Sequence, residues 1–386
     1  MDFKLTNKTI YVISPEPWGK MRVSKHHYAL ELAFKGNQVY FVEPPRLDNE
    51  GITIRQSQDH PLLSLVSYKP VFRGKRFLPV VLFRALLKRQ IKLLKKTIGK
   101  QPDLILCFHP FLLEKLNWFD ASHSIYFAAD QFYADHLPPE VFSADFCLAI
   151  SDSIYKRLNV SGRKVHLIQH GLNRYFARTA NKLLLEVDAG KRNNLNSPLK
   201  VGYAGNLLMG GMDRVTMKKV IQTHPEVRFI FWGQYDLADG NFTVGLNDEL
   251  TGFVDFLKSS SNVELRGVVS PDELSKQMSE ADIFWICLKI GAGKIWDGSN
   301  SHKLLEYLST GKPVITHYVS SYKGLSVLDM LSDDNNDKYP AHFSRVLSKV
   351  RSGEETTEKS RERINFALSN TYEKQIDRIE AWINEG

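Results

Sequence analysis

Residues Asp297–Thr316 read DGSNSHKLLEYLSTGKPVIT. Ser299 or Asn300 can cap a helix starting near Ser301, because a short oxygen-bearing side chain accepts from the first free backbone N–H groups. Leu304, Leu305 and Leu308 recur at helical spacing and predict one buried face. Gly311 stops the helix, and Lys312-Pro313 launches an apolar run as a strand. A helix followed at once by a buried strand is the repeating unit of a parallel sheet with helices on its faces.

The same unit recurs outward from this stretch. KVGYAG (200–205), VRFIFWG (227–233), NVELRG (262–267), ADIFWICL (281–288) and KPVITH (312–317) predict the strands of one sheet. Nearer the amino terminus, TIYVIS (9–14), QVYFV (38–42), LILCF (104–108), SIYFA (124–128), FCLAI (146–150) and KVHLI (164–168) predict those of another. A helix over Ser24–Phe34 is closed by Gly36-Asn37. Between the two series, residues 180–199 break the alternation and end rich in Asn, Ser and Pro, which reads as a linker. The expected organisation is α/β, with two Rossmann-like doubly wound domains at 1–180 and 200–355 joined by a linker over 181–199. A charged helical segment over 356–386 follows.

Composition narrows the function. The chain has 386 residues, 43% apolar and 24% charged, which is soluble-globular and excludes a disordered chain or a disulfide scaffold. No apolar run approaches the roughly 20 residues of a membrane span. The amino terminus shows no cleavage-site pattern, so no signal peptide is expected. Cys107, Cys147 and Cys287 each sit in an apolar strand-like run, as buried thiols of a reducing compartment do. No cysteines or histidines pair at zinc-ligand spacing, and His26-His27 diverge on a helix, so no metal and no cofactor are expected.

Charge is uneven. Residues 1–180 hold 26 Lys and Arg against 15 Asp and Glu, whereas 181–386 hold 25 against 28. Such asymmetry points to an anionic partner for the first half. From His60 to Pro102 there is no acid and there are eleven basic residues. Within that run Phe83, Leu87, Gln90, Leu94 and Ile98 keep helical spacing, interleaved with Arg84, Lys88, Arg89, Lys92, Lys95 and Lys96. A basic amphipathic helix can lie on an anionic bilayer. The same pattern also suits a domain helix with a solvated basic face. Nucleic acid is a third reading, with no recognised nucleic-acid module beside it.

Ligands of open parallel sheets bind beyond the strands' carboxyl ends. GYAGNLLMGG (202–211) follows one predicted strand and is glycine-rich, without a full G-x-G-x-x-G or a phosphate-loop pattern. Lys303 and Glu306 lie three apart on one helix face. They suit a phosphate beside a ribose, or equally a capped surface helix with a Lys–Glu salt bridge. Asp130 follows SIYFA and His109 follows LILCF, at strand ends where a general base would stand.

Three stretches resemble the nucleotide-sugar domain of GT-B-fold glycosyltransferases, in the same order. They are KVGYAGNL (200–207), NVELRGVVSPDELSKQMSEADIFWI (262–286) and SNSHKLLEYLSTGKPVI (299–315). ADFCLAISDSIYKRL and VHLIQHGLNRYF resemble the end of the family's acceptor domain, with His170-Gly171 where Asn-Gly is commoner. The resemblance is to families 1 and 4, and SIYFAADQFYAD with HKLLEY is similar to the xanthan glucuronosyltransferase. It implies two domains facing a central cleft and a final helix crossing back to the first. It places the donor pyrophosphate at Ser301, His302 and Lys303 with Gly205 and Asn206 nearby, the ribose at Glu306, and the base at Gly267 and Val268. Asp130 is implied as catalytic base, with His109 as the second candidate. Retaining members often carry two glutamates eight residues apart. Here the earlier position is Gly298, beside Asp297, which leaves the stereochemical outcome open.

The expectation is therefore a metal-independent hexosyltransferase for cell-surface polysaccharide synthesis. It would move a UDP-linked sugar to a glycan or lipid-linked acceptor, peripherally on the inner face of the cytoplasmic membrane. Two alternatives remain: a nucleotide-sugar epimerase on the same fold, and a non-enzymatic protein binding nucleic acid or membrane.

Overall fold

The apolar runs are rich in β-branched and aromatic residues, which fit a pleated surface better than a helix. β1 (Thr9–Ile13) leads through α1 (Ser24–Phe34) to β2 (Gln38–Val42), parallel to it. β3 (Ile52–Gln56) and β4 (Leu63–Tyr68) form an antiparallel hairpin, and β4 joins β2 in parallel. α2 (Val80–Ile98) returns the chain to β5 (Leu104–Cys107), on the other side of β1. β6 (His123–Ala128), β7 (Phe146–Ala149), α3 (Asp152–Asn159) and β8 (Lys164–Leu167) complete a sheet of order β3-β4-β2-β1-β5-β6-β7-β8. These elements come from a computed structural model that describes residues 2–19, 22–72, 78–129, 134–190, 195–235, 248–289 and 301–385.

A second series follows α4 (Arg174–Asp188). β9 (Lys200–Ala204), α5 (Arg214–Thr223), β10 (Arg228–Trp232), α6 (Asp248–Ser259) and β11 (Val263–Gly267) build one side of a sheet. α7 (Pro271–Gln277), β12 (Ile283–Ile286), α8 (His302–Leu308), β13 (Val314–Thr316) and β14 (Asp329–Met330) build the other. The order is β11-β10-β9-β12-β13-β14, parallel at every described pair. α9 (Tyr339–Arg351), α10 (Thr357–Leu368) and α11 (Tyr372–Asn384) end the chain's described helices. The strand order reverses between β1 and β5 in the first sheet and between β9 and β12 in the second. Such a reversal opens a crevice at the carboxyl ends of the flanking strands.

The chain divides into two compact units, residues 1–171 with 372–386, and residues 172–371. The expected boundaries move accordingly. The supposed linker begins inside α4, whose Phe176 and Ala180 are buried, so that helix belongs to the second unit. The expected final helix is two helices. α10 packs on α4 within the second unit, and α11 alone belongs to the first. Tyr372, Ile376, Ile379 and Ile383 form one face of α11 and join the first unit's apolar core.

Candidate functional site

In the second unit the sheet reversal lies beside Gly205, which follows β9, and the next residues of interest ride on α8. That helix is seven residues long, with Ser301 at its N-cap position making no side-chain cap. It is shorter than its sequence pattern suggests, so its terminus contributes little dipole and the side chains must do the chemistry. Leu304, Leu305 and Leu308 are buried as expected. So is Tyr307, whose role the sequence did not reveal. Its hydroxyl donates to Ala204 O at 3.0 Å and accepts from Ala204 N at 2.9 Å, while its ring stacks on Phe284 at 4.8 Å. Tyr307 thereby fixes α8 against the end of β9, and Lys303 and Glu306 with it.

Glycines make the floor. A Cβ at Gly205, whose φ is +155°, would overlap Lys303 Cε, so only glycine lets that lysine lie across the strand end. A Cβ at Gly233, φ +129°, would overlap Gly205 O. Gly205 N donates to Trp232 O at 2.8 Å and Gly233 N to Gly267 O at 2.7 Å. Gly205, Gly233 and Gly267 thus form a row across the ends of β9, β10 and β11, spanning about 10 Å at the usual strand spacing. Gly233 escaped the sequence reading, although it shares the signal of the other two, a glycine straight after a buried strand. The N–H groups of Gly205 and Gly233 are already bonded, so these glycines supply room and not phosphate contacts. Asn206 gives its side-chain oxygen to Leu208 N at 2.9 Å, which makes it a turn former first. Val268, just past Gly267, is 75% exposed.

Lys303 and Glu306 are half-buried. Among the described residues neither side chain closes an ion pair or hydrogen bond, so the salt-bridged surface helix is not what forms. Burial lowers the Lys303 ammonium pKa and raises the Glu306 carboxyl to about 7, each opposed by the other's charge. A half-buried ammonium that closes no direct ion pair among the described residues suits an anion, and the carboxylate whose charge it feels suits hydroxyl donors. His302 is half-buried, with a partner of its own.

In the first unit the reversal lies between β1 and β5, and His109 stands just beyond the end of β5, half-buried. Its Nδ1 lies 2.8 Å from Pro110 O. A carbonyl can only accept, so Nδ1 carries the proton and a neutral ring keeps its lone pair on Nε2. Burial lowers the His109 pKa, with nearby Lys25 acting the same way, and favours that neutral ring. Asp130 lies outside the described residues, as do Asp297 and Gly298. His26 is not available for chemistry, since its ring nitrogens meet Val23 N and Pro17 O at 3.1 and 3.0 Å.

α2 buries Phe83, Leu87, Gln90, Ile91, Leu94 and Ile98 against the first core. Arg84, Lys88, Arg89, Lys92 and Lys96 are exposed, and Lys95 is half-buried. Arg84 pairs with Glu114 at 3.2 Å, Lys95 pairs with Asp120 at 2.6 Å, and Lys88 lies over the Trp118 ring. Val80, Val81 and Leu82 are exposed on its first turn. Among the described residues no helix is long and apolar enough to cross a membrane, and no three His, Cys, Asp or Glu side chains gather to hold a metal.

No family model and no curated protein matches the chain. Solved structures do. The sucrose-phosphate synthase of Thermosynechococcus elongatus is 13% identical with a TM-score of 0.64, over 98% of both chains. Anabaena HepE in complex with UDP is 12% identical with a TM-score of 0.64, over 98% of this chain and 100% of its own. The Escherichia coli trehalose-6-phosphate structure bound with UDP-2-fluoro glucose is 10% identical with a TM-score of 0.64, over 98% of this chain and 99% of its own. At such identities the likeness is one of fold: two Rossmann-like units in GT-B order, the second interrupting the first.

Proposed function

We propose that the protein is a glycosyltransferase that takes its sugar from a nucleoside diphosphate donor. The observation that carries this reading is half-buried Lys303, lying over Gly205 at the strand reversal of the second unit with half-buried Glu306 one turn along α8, neither closing an ion pair among the described residues. The similar folds of HepE with UDP and of the E. coli structure with UDP-2-fluoro glucose support it and favour a UDP-linked hexose.

Lys303 holds the pyrophosphate and faces the charge that grows on the leaving phosphate as the glycosidic C–O bond breaks. Glu306 accepts hydrogen bonds from the ribose hydroxyls. The nucleoside lies along the strand ends marked by Gly205, Gly233 and Gly267, with room at Gly267 beside Val268. The acceptor hydroxyl forms the new C–O bond and yields its proton to a base of the first unit, Asp130 or His109 Nε2. The transfer needs no metal in this reading, because Lys303 supplies the cation. The exposed basic face of α2 and its apolar first turn suit an anionic membrane surface bearing a lipid-linked or glycan acceptor. Cell-surface polysaccharide synthesis at the cytoplasmic face of the membrane would use such an arrangement.

Thermal melting with UDP-, GDP- and ADP-sugars tests the reading. A ligand that binds only the folded state raises its stability. UDP-sugars should raise the midpoint most, and no rise with any nucleotide sugar would overturn the proposal.

A further inference from the structure

Glu140 is wholly buried, at 0% exposure, on the short turn Pro139–Ser143. Among the described residues no cation pairs with it. Its carboxyl oxygens accept instead from the backbone N–H groups of Phe111 at 3.1 Å and Leu113 at 2.5 Å. Burial lifts the Glu140 pKa to about 7, and the backbone N–H groups of Glu140 itself, Leu113, Phe111 and Leu112 pull against that lift. A buried carboxyl is costly unless its oxygens are bonded, and here its own N–H and the backbone donors of one short loop do the bonding. That loop follows directly on His109-Pro110.

The loop would not take this shape unaided. Phe111 has a φ of +62°, which a bulky residue rarely adopts and which costs of order 1–3 kcal/mol. The same turn ties the loop a second time, through Ser143 Oγ accepting from Leu116 N at 2.8 Å. At the other end the Cys107 thiol donates to His109 O at 3.4 Å. His109 is thus held between the end of β5 and a strained turn whose N–H groups converge on Glu140. A carboxamide could not replace it fully, because its NH2 would face a backbone N–H.

We propose that Glu140 is a positioning residue: its carboxylate sets the backbone of Phe111–Leu113 and so fixes the direction of His109 Nε2. The proposal rests on reading His109 as the group that takes the acceptor's proton. Misplacing a reacting group by about 1 Å can cost 10²-fold in rate.

The test compares Glu140→Gln, His109→Asn and the double variant in the full chain. It follows melting by circular dichroism, UDP affinity by calorimetry, turnover, and the His109 ring resonances by NMR. Glu140→Gln should stay folded, bind UDP as the wild type does, move the His109 ring resonances and lower kcat about 10²-fold, with the donor KM unchanged. The double variant should lose no more than His109→Asn alone. Unmoved His109 resonances with normal kcat, while His109→Asn is inactive, would overturn the positioning role. Additive losses in the double variant would do the same. Normal turnover in His109→Asn would sink the reading of His109 itself, and the resonances in Glu140→Gln would still decide whether Glu140 orients it. If Glu140→Gln does not fold, Glu140→Asp, one methylene shorter, is judged by the same outcomes.

Discussion

Replacing Glu306 with Gln should stabilise the ligand-free protein in mildly alkaline solution and change little in acid. The carboxyl's ordinary value is 4.5, and burial lifts it to about 7 in the folded chain, against the pull of Lys303. Because the folded value is the higher one, the stability that protonated Glu306 contributes is complete below pH 4.5 and is lost as pH rises through about 7. At 1.36 kcal/mol per pH unit between the two values, the ionised group costs the folded state about 3 kcal/mol. Its residual exposure to water reduces that to roughly 1–3 kcal/mol. Gln keeps the shape and carries no charge. Urea titrations of wild type and variant side by side, at about pH 5 and pH 8, read the effect. The variant's advantage should grow by that amount between the two. An equal difference at both pH values would refute the reasoning, since ionised Glu306 would then carry no burial cost and the site would not be dry.

Lys303→Ala should weaken UDP binding about tenfold to a hundredfold, the usual worth of a hydrogen bond to a charged group, as read by calorimetry. Wild-type affinity would remove the donor assignment. Asp130→Asn and His109→Asn compete for the base: the true one should lose about 10²-fold in turnover while UDP binding holds. Near-normal turnover in both would point to a retaining mechanism. Lys88, Arg89, Lys92, Lys95 and Lys96 changed together to Gln should abolish flotation with vesicles rich in anionic lipid, and added salt should weaken flotation of the wild type. Equal flotation of both proteins, or of neither, would leave α2 as an ordinary domain helix.

The central strands were legible because they are buried on both faces and therefore read as unbroken apolar runs. β1, β2 and β5 fall where Thr9–Ser14, Gln38–Val42 and Leu104–Phe108 were expected, give or take a residue. β3 and β4 escaped notice for the converse reason. ITIRQ is exposed along most of its length and LSLVSY is interrupted by serines, so neither shows a continuous apolar signal. Lys303 and Glu306 stood out because two opposite charges three apart precede a leucine-rich face. Tyr307 did not, since an aromatic residue on that face reads as core until its hydroxyl is seen on Ala204. Glu140 gave no signal at all, because its partners are backbone groups nearly thirty residues away in sequence. The unit boundary was misjudged because α4 has a polar outer face and a small buried one, a composition shared with linkers.

The interruption of the first unit by residues 172–371 dictates an order of assembly. Leu5 N donates to Glu380 at 2.6 Å, Lys35 pairs with Asp377 at 2.6 Å, and the Tyr28 and Tyr372 rings meet at 5.0 Å. The segment before β1 and the helix α1 are therefore sealed by a helix that leaves the ribosome only after the whole second unit has emerged. At ordinary synthesis rates the 200 intervening residues take roughly 10–40 s. During that interval Tyr28 and its neighbours on α1 stand open to water, and at its end the second unit is complete while the first is not. A nascent chain of this protein is a finished domain hanging from an unfinished one, and the open face of α1 is where a chaperone would be of use.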